Sequence, residues 1–193
     1  MPLRSAGRGM SSPLDREGCR RPSAVAGCRR MPSAGAVGAL AYRGRMTSWP
    51  EVLEAVTVAL GGDRVRGRVM LEEAWDGTEP GDAAQRCVLA NYLADVQDTL
   101  ADEVAWDERA LTAYTAVLDA DLAPVGIERA AAMAPSLHLN LGDGYLRQGR
   151  LPDAAQQLAL AEGSLDELGS DGYGDLLRRG VAGLGERLSA AGG

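Results

Sequence analysis

The chain has 193 residues, 46% of them hydrophobic, and a formal net charge of −7. All 20 basic residues are arginine, which excludes a P-loop lysine, a Schiff-base lysine and a lysine general base. Phe is absent, only three Trp and five Tyr occur, and Ala and Leu dominate. Small apolar residues of high helix propensity favour close-packed helices over a sheet, so we expect an all-α protein.

Residues 1–45 differ in composition from the remainder of the chain. They are rich in Arg, Gly, Pro and Ser, and nine Arg against two acidic residues give +7, whereas 11 Arg against 25 acidic residues give residues 46–193 a charge of −14. Because this segment shows no amphipathic periodicity, we predict that it is a disordered basic tail. A nucleic-acid-binding arm and an export signal around Arg29-Arg30 are alternatives, but we favour a start at Met46, with the preceding residues untranslated or without function.

The first predicted helix pair follows Met46 directly. Ser48 and Glu51 have the spacing of a capping box, which predicts a helix that Gly61-Gly62 ends. Asp63 is placed to cap a second helix that ends near Trp75.

Three further helices are predicted between residues 82 and 134. Asp82 opens a helix over 83–97, a second spans 100–118, and a third runs from about 123 to 134. The second has apolar side chains on one broad face: Val104, Leu111, Tyr114 and Leu118. Cys87 lies in a helical pattern as a buried small hydrophobe.

Residues 136–162 predict two helices joined at Gly149, which provides the left-handed turn that ends the first of them. Gly142 lets these two helices approach closely. A last helix over 172–190, capped by Asp171, carries the apolar residues Tyr173, Leu177, Val181, Leu184 and Leu188 on its inward face. Gly180 and Gly183 are expected to weaken it by about 1 kcal/mol each.

The spacing over about 135–168 resembles the tetratricopeptide repeat, a helix–turn–helix unit of about 34 residues. The repeat's pattern is matched at five positions: Leu141, Gly142, Tyr145, Ala154 and Ala161. It is not matched at His138, Leu158 and Asp166, where the family usually has Trp, a large aromatic residue and Pro. A continuous apolar stripe on the second helix is predicted from Ala154 to Leu168.

An earlier helix pair repeats this pattern weakly. Leu89 and Leu93 correspond to Leu141 and Tyr145, but the separation of 52 residues implies an elongated or inserted helix between the units. The resemblance implies a right-handed superhelix of antiparallel helix pairs, and the last helix fits the role of a C-terminal cap.

No catalytic, cofactor or metal site is predicted. His138 is the only histidine and occupies a packing position of the repeat, and "GDG" at 142–144 lies inside an amphipathic helix. The three cysteines, Cys19, Cys28 and Cys87, are too few and too scattered for a disulfide framework or a zinc site. The acidic residues, including Glu103, Asp107 and Glu108, are interpreted as solvated helix faces.

The resemblance implies a binding groove on the first helix of each pair. The residues placed there are Asn91, Leu139, Asn140, Asp143, Leu146 and Arg147. Asn side chains in such a groove hydrogen-bond to the backbone of an extended peptide, and an acidic domain favours a basic or polar ligand. Ordinary exposed polar residues are the alternative interpretation of Asn91 and Asn140.

The sequence therefore predicts a cytoplasmic, non-catalytic adaptor that binds a protein or peptide. The alternative is a regulatory sensor domain that binds a small molecule or a signalling peptide. Homo-oligomerisation through exposed helix faces stays open, whereas a nucleic-acid partner of the domain and a membrane span are not expected.

Overall fold

The computed structural model describes residues 47–193, and the predictions about residues 1–45 lie outside this range. Within it the chain is all-α, with eight α-helices, three short 3-10 segments and no strand. The all-α prediction is thus confirmed for the described part of the chain.

The first pair consists of α1, Trp49–Leu60, and α2, Arg64–Asp76. The carboxylate of Glu51 accepts hydrogen bonds from the backbone N–H and the hydroxyl of Ser48, both at 2.8 Å. Asp63 accepts a hydrogen bond from the backbone N–H of Arg66 at 3.1 Å. Both helices therefore begin where their polar capping residues can satisfy first-turn donors.

The second pair consists of α3, Ala83–Asp95, and α4, Leu100–Tyr114. The hydroxyl of Thr99 accepts a hydrogen bond from the backbone N–H of Asp102 and caps α4. The prediction that α4 continues to residue 118 is wrong, and Leu118 is 65% exposed rather than part of the buried face.

The segment between the second and third pairs is irregular. A four-residue helix α5, Asp119–Leu122, leads into a 3-10 turn at Ala123–Val125, and a second 3-10 turn covers Ala130–Met133. The prediction of one helix over 123–134 is wrong because Gly126 adopts a left-handed φ of 74°. This insertion accounts for the long separation between the two repeat-like units.

The third pair consists of α6, Ala134–Arg147, and α7, Leu151–Gly163. Gly149 has a φ of 74°, so the predicted left-handed turn between the helices is confirmed. The predicted stripe on α7 is too long, because the helix ends at Gly163 and a 3-10 turn follows at Leu165–Glu167.

The last helix, α8, spans Gly172–Gly192, and the carboxylate of Asp171 accepts a hydrogen bond from the backbone N–H of Gly174 at 2.8 Å. Leu177, Val181 and Leu184 are buried as predicted. Tyr173 is 56% exposed and does not face the core. It lies in the first turn of the helix, where α8 has only begun to pack.

Each helix packs against its partner in the pair: α1 against α2, α3 against α4, and α6 against α7. Helix α4 also packs against α6, and α8 packs against both α6 and α7. The few aromatic residues connect the first pair to the second, since Trp75 and Trp106 meet edge to face with ring centroids 4.9 Å apart. Cys87 is fully buried on α3, as predicted, and burial raises the pKa of its thiol to about 12.

Glycines permit the closest contacts between helices. A methyl group on Gly67 of α2 would lie 2.5 Å from the Cα of Ala59 on α1. On α6, a methyl group at Gly142 would lie 2.8 Å from Leu184 Cδ2, and one at Gly144 would lie 2.7 Å from Val104 Cγ2. The same methyl group at Gly142 would lie 3.2 Å from Gln157 Cβ on α7, so the predicted close approach of α6 and α7 at Gly142 is confirmed, and the close packing extends to α8.

Gly180 has a packing function in addition to its cost in helix propensity. A methyl group there would lie 2.7 Å from Leu139 Cδ2, so the missing side chain lets α8 approach α6. Gly183 has no comparable neighbour on another helix.

We predict that Gly67→Ala lowers the free energy of unfolding by about 1–3 kcal/mol, because the added methyl group meets backbone atoms that cannot move aside. Gly163→Ala is the matched control, since it also lies in a helix but has open space around it. Urea unfolding followed by circular dichroism measures both, and equal stability of the two variants would contradict the packing assignment.

Candidate functional site

One face of the structure is formed by α3, α6 and α8, and it contains two cavities. The smaller, of about 340 Å³, is lined by four carboxylates together with other polar and apolar groups, and we call it the acidic cavity. Its lining residues are Asp95 on α3, Glu103 and Asp107 on α4, Leu139, Asn140 and Asp143 on α6, and Gly180 and Arg187 on α8.

Two arginines pair with carboxylates of this cavity. Arg187 Nη2 lies 2.6 Å from Asp143 Oδ1, and Arg147 Nη1 lies 2.5 Å from Glu103 Oε1 and 3.7 Å from Asp143 Oδ2. Both guanidinium groups are about half exposed, so these pairs add little to stability.

Asp107 lies deeper than the other carboxylates and is only 3% exposed. Asp107 lines the cavity, and it forms no hydrogen bond or ion pair with any other described residue. Burial raises the pKa of Asp107 to about 8, and the negative charges of Asp95, Glu103 and Asp143 act in the same direction against the opposing effect of Arg147.

Asp95 is the second carboxylate of the cavity without a paired cation in the described part of the chain. Loss of hydration, followed by the charge of Glu103, raises its pKa, while Arg64 acts in the opposite direction. The cavity thus has more carboxylates than arginines to neutralise them, and a positive charge placed inside it would be attracted.

An amide pair links α3 to α6 beside the acidic cavity. Asn140 Nδ2 donates a hydrogen bond to Asn91 Oδ1 at 3.1 Å. Asn140 lines the acidic cavity, whereas Asn91 lines the larger one, so this pair marks the boundary between them. The bond leaves Asn140 Oδ1 as an acceptor beside the acidic cavity.

The larger cavity, of about 650 Å³, has walls that combine apolar and aromatic side chains with polar and charged ones, and we call it the tyrosine cavity. Its lining includes Leu53, Val88, Tyr92, Ile127, Met133 and Tyr173. Burial raises the pKa of the Tyr92 phenol, with smaller contributions from Tyr173 and Asp95. Arg129 and Glu167 form an ion pair at its edge.

The two cavities follow one another in the same order on three helices. In each case the residue that lines the tyrosine cavity precedes the one that lines the acidic cavity: Tyr92 and Asp95 on α3, Ser136 and Asp143 on α6, and Tyr173 and Arg187 on α8. The two cavities therefore lie in line along α3, α6 and α8.

The six predicted groove residues do not all lie in one place. Asn140, Asp143 and Leu139 line the acidic cavity, Asn91 and Arg147 border it, and Leu139 also packs against Gly180. Leu146 lies elsewhere, in the apolar cluster around Val104, Leu141 and Tyr145.

The sequence interpretation missed five of the residues that line the acidic cavity: Asp95, Glu103, Asp107, Gly180 and Arg187. Asp107 was assigned to a solvated helix face, and that assignment is wrong because the residue is buried. A signal was present in the pattern: Asp107 is three residues after Val104 and three before Ala110, both buried, so it is in phase with the buried stripe of α4.

His138 is half-buried on α6, and its Nδ1 lies 2.8 Å from Oε1 of Gln157 on α7. An amide partner holds the ring between the two helices. This contact agrees with the predicted packing position.

No group of three or more His, Cys, Asp or Glu side chains within 47–193 is arranged to hold a metal ion. No helix in the same range is long and apolar enough to cross a bilayer.

The chain matches no protein-family model, no curated protein and no solved structure.

We predict that Asp107→Asn changes how stability depends on pH. Because folding raises the pKa of Asp107 from 3.8 to about 8, its protonated form favours the folded state, and this contribution is lost as pH rises through that interval. Each pKa unit corresponds to about 1.4 kcal/mol, so the variant should become more stable than the wild type by several kcal/mol at pH 8 and differ little at pH 4.

Urea unfolding at a series of pH values measures this difference. Asp76→Asn is the matched control, because Asp76 is an exposed carboxylate at the end of α2. Its stability should depend on pH in the same way as that of the wild type. If the stability of Asp107→Asn also depends on pH as that of the wild type does, the carboxylate of Asp107 is not held in an unfavourable environment.

Proposed function

We propose that this chain is a non-catalytic binding protein of the tetratricopeptide-repeat type, which binds a segment of another protein along the face formed by α3, α6 and α8. The observation that carries the proposal is the alignment of the tyrosine and acidic cavities along the same three helices. Two neighbouring cavities of different chemistry on one face suit a ligand with several side chains in sequence.

The helix pairing supports the repeat-type assignment. Three successive helix pairs are followed by one unpaired helix that packs against the last pair, which is the order expected of stacked units with a terminal cap. The motif residues lie where such a unit needs them: Leu141 and Tyr145 are buried on α6, and Ala154 and Ala161 are fully buried on α7.

The chemistry of the face indicates the ligand. The tyrosine cavity offers aromatic and aliphatic side chains together with charged ones such as Arg129 and Glu167, whereas the acidic cavity offers carboxylates and the amide of Asn140. A segment that carries an apolar and a basic side chain close together would place the first against the aromatic residues of the tyrosine cavity and the second among the carboxylates of the acidic cavity. The charge of −14 over residues 46–193 favours approach of a basic segment.

A sensor that binds a small molecule is the second candidate, and the tyrosine cavity favours it. Its volume of about 650 Å³ lies within the usual range for small-ligand pockets of roughly 300–1,000 Å³. Native mass spectrometry of protein purified from its own host tests this function: a retained small molecule supports it, and an adduct-free mass together with a captured protein partner argues against it.

We predict that Asn91→Ala and Asn140→Ala each reduce capture of a protein partner from host lysate, because each removes half of the amide pair at the centre of the face. Gln156→Ala on the exposed side of α7 is the matched control, since it also truncates an amide but lies away from the face. Quantitative mass spectrometry of the captured proteins provides the measurement.

Circular dichroism should show all three variants folded, because Asn91 and Asn140 are only half-buried. Equal recovery of the same partners by wild type, both Asn variants and the control would place the binding surface elsewhere. Arg147 is less suitable for this test because an acidic replacement would stand beside Glu103 and Asp143 and would disturb the fold.

A further inference from the structure

We propose that the acidic cavity binds the guanidinium group of an arginine side chain from the partner segment, with Asp107 as the deep acceptor. This inference rests on the proposed function and names the chemistry that one of its two cavities recognises. It stands on the position of Asp107, a carboxylate that lines the cavity, is 3% exposed and has no hydrogen-bond or ion-pair partner among the described residues.

A buried carboxylate without a partner is costly to maintain in a folded protein. Transfer of a polar group from water without a compensating hydrogen bond disfavours folding, and an ionised group is disfavoured more strongly. A cation that enters the cavity would supply the missing donors. Asp107 therefore points to a ligand in a way that the surface carboxylates do not.

The arrangement of the charges favours an organic cation over a metal ion. The carboxylates of the cavity come from three helices, α3, α4 and α6, and no three of them converge on a point that would hold a metal within the described range. They surround a cavity of about 340 Å³, near the lower limit of ligand pockets, which suits one side chain.

A guanidinium group fits this distribution better than an ammonium group. It presents five N–H donors in a plane, so it can donate to more than one of the acceptors that line the cavity, among which are Asp107, Asp95 and Asn140. It is also more weakly hydrated than an ammonium group and enters a partly buried site at lower cost.

The protein's own arginines show that guanidinium groups pair with carboxylates of this cavity. Arg147 and Arg187 engage Glu103 and Asp143 at its entrance, with closest distances of 2.5 and 2.6 Å. These pairs leave Asp95 and Asp107 without a cation. A third arginine, from the partner, would supply a positive charge to these two carboxylates and reduce the excess of negative charge in the cavity from two to one.

Binding of this cation is expected to be coupled to release of a proton. The pKa of Asp107 is raised to about 8, so the carboxyl is mostly protonated at neutral pH, and a bound guanidinium favours its ionised form. The charged groups that act on it are Asp95 on α3, Glu103 on α4, Asp143 and Arg147 on α6, and Arg187 at the α8 side of the cavity. Affinity should therefore increase with pH up to about 8.

The test uses the full chain and four capped pentapeptides, acetyl-Gly-Gly-X-Gly-Gly-amide, in which X is arginine, citrulline, lysine or norleucine. Titration followed by ¹⁵N NMR should show saturable shifts for the arginine peptide, centred on the Asn140 side-chain amide and the backbone of Asp143 and Gly180. Citrulline has the same shape without the charge and should bind at least about tenfold more weakly. The lysine peptide should also bind more weakly than the arginine peptide.

Two variants separate a binding function of Asp107 from a structural one. Asp107→Asn should lower the affinity for the arginine peptide by about tenfold or more at pH 8, whereas the exposed control Asp76→Asn should leave this affinity unchanged. For the wild type, affinity should rise by up to about tenfold for each pH unit between pH 6 and pH 8, and Asp107→Asn should abolish this dependence.

The inference is overturned if citrulline or lysine binds as tightly as arginine, if Asp107→Asn keeps the wild-type affinity, or if the shifts lie outside the acidic cavity. These failures are distinguishable from failure of the proposed function. If Asn140→Ala loses partner capture but the arginine peptide does not bind to the wild type, the protein-binding face is still supported and only the arginine assignment is overturned.

Discussion

Close approach of helix backbones at small residues is the constraint on which this structure depends. With no Phe and few other aromatic residues, the chain cannot fill wide gaps between helices, so it brings the helices together instead. Gly67 against Ala59 sets the distance within the first pair, Gly144 against Val104 sets the contact between α4 and α6, and Gly180 against Leu139 does so between α6 and α8. Each contact would be lost if a side chain were added on the glycine.

This packing also creates the acidic cavity. Contacts at Gly144 and Gly180 bring α4 and α8 close to α6, and Asp107 of α4, Asn140 of α6 and Arg187 of α8 then line a common space. Asp107 lies on the buried stripe of α4, so the contact that stabilises the fold is also what withdraws its carboxylate from water. The unusual pKa of Asp107 is thus a consequence of helix packing and not of a separate local device.

Local chemistry explains which parts of the fold could be predicted from the sequence. The caps at Ser48 and Asp171 and the left-handed Gly149 depend on neighbours within a few residues, so sequence spacing alone identifies them. The segment 119–133 has helix-forming composition, but Gly126 and tertiary contacts of Leu122 interrupt it. The burial of Asp107 is indicated by its phase with Val104 and Ala110 on α4, but the cavity that it lines also depends on α3, α6 and α8, which the sequence of α4 does not reveal.

The position of the two asparagines connects fold and ligand. Asn91 and Asn140 come from separate helix pairs, and their hydrogen bond forms only when α4 holds those pairs in register. The pair lies between the tyrosine cavity and the acidic cavity, and α4 contributes Glu103 and Asp107 to the lining of the acidic one. A ligand that occupies both would in turn stabilise this register, because it binds the folded arrangement and not the separated helix pairs.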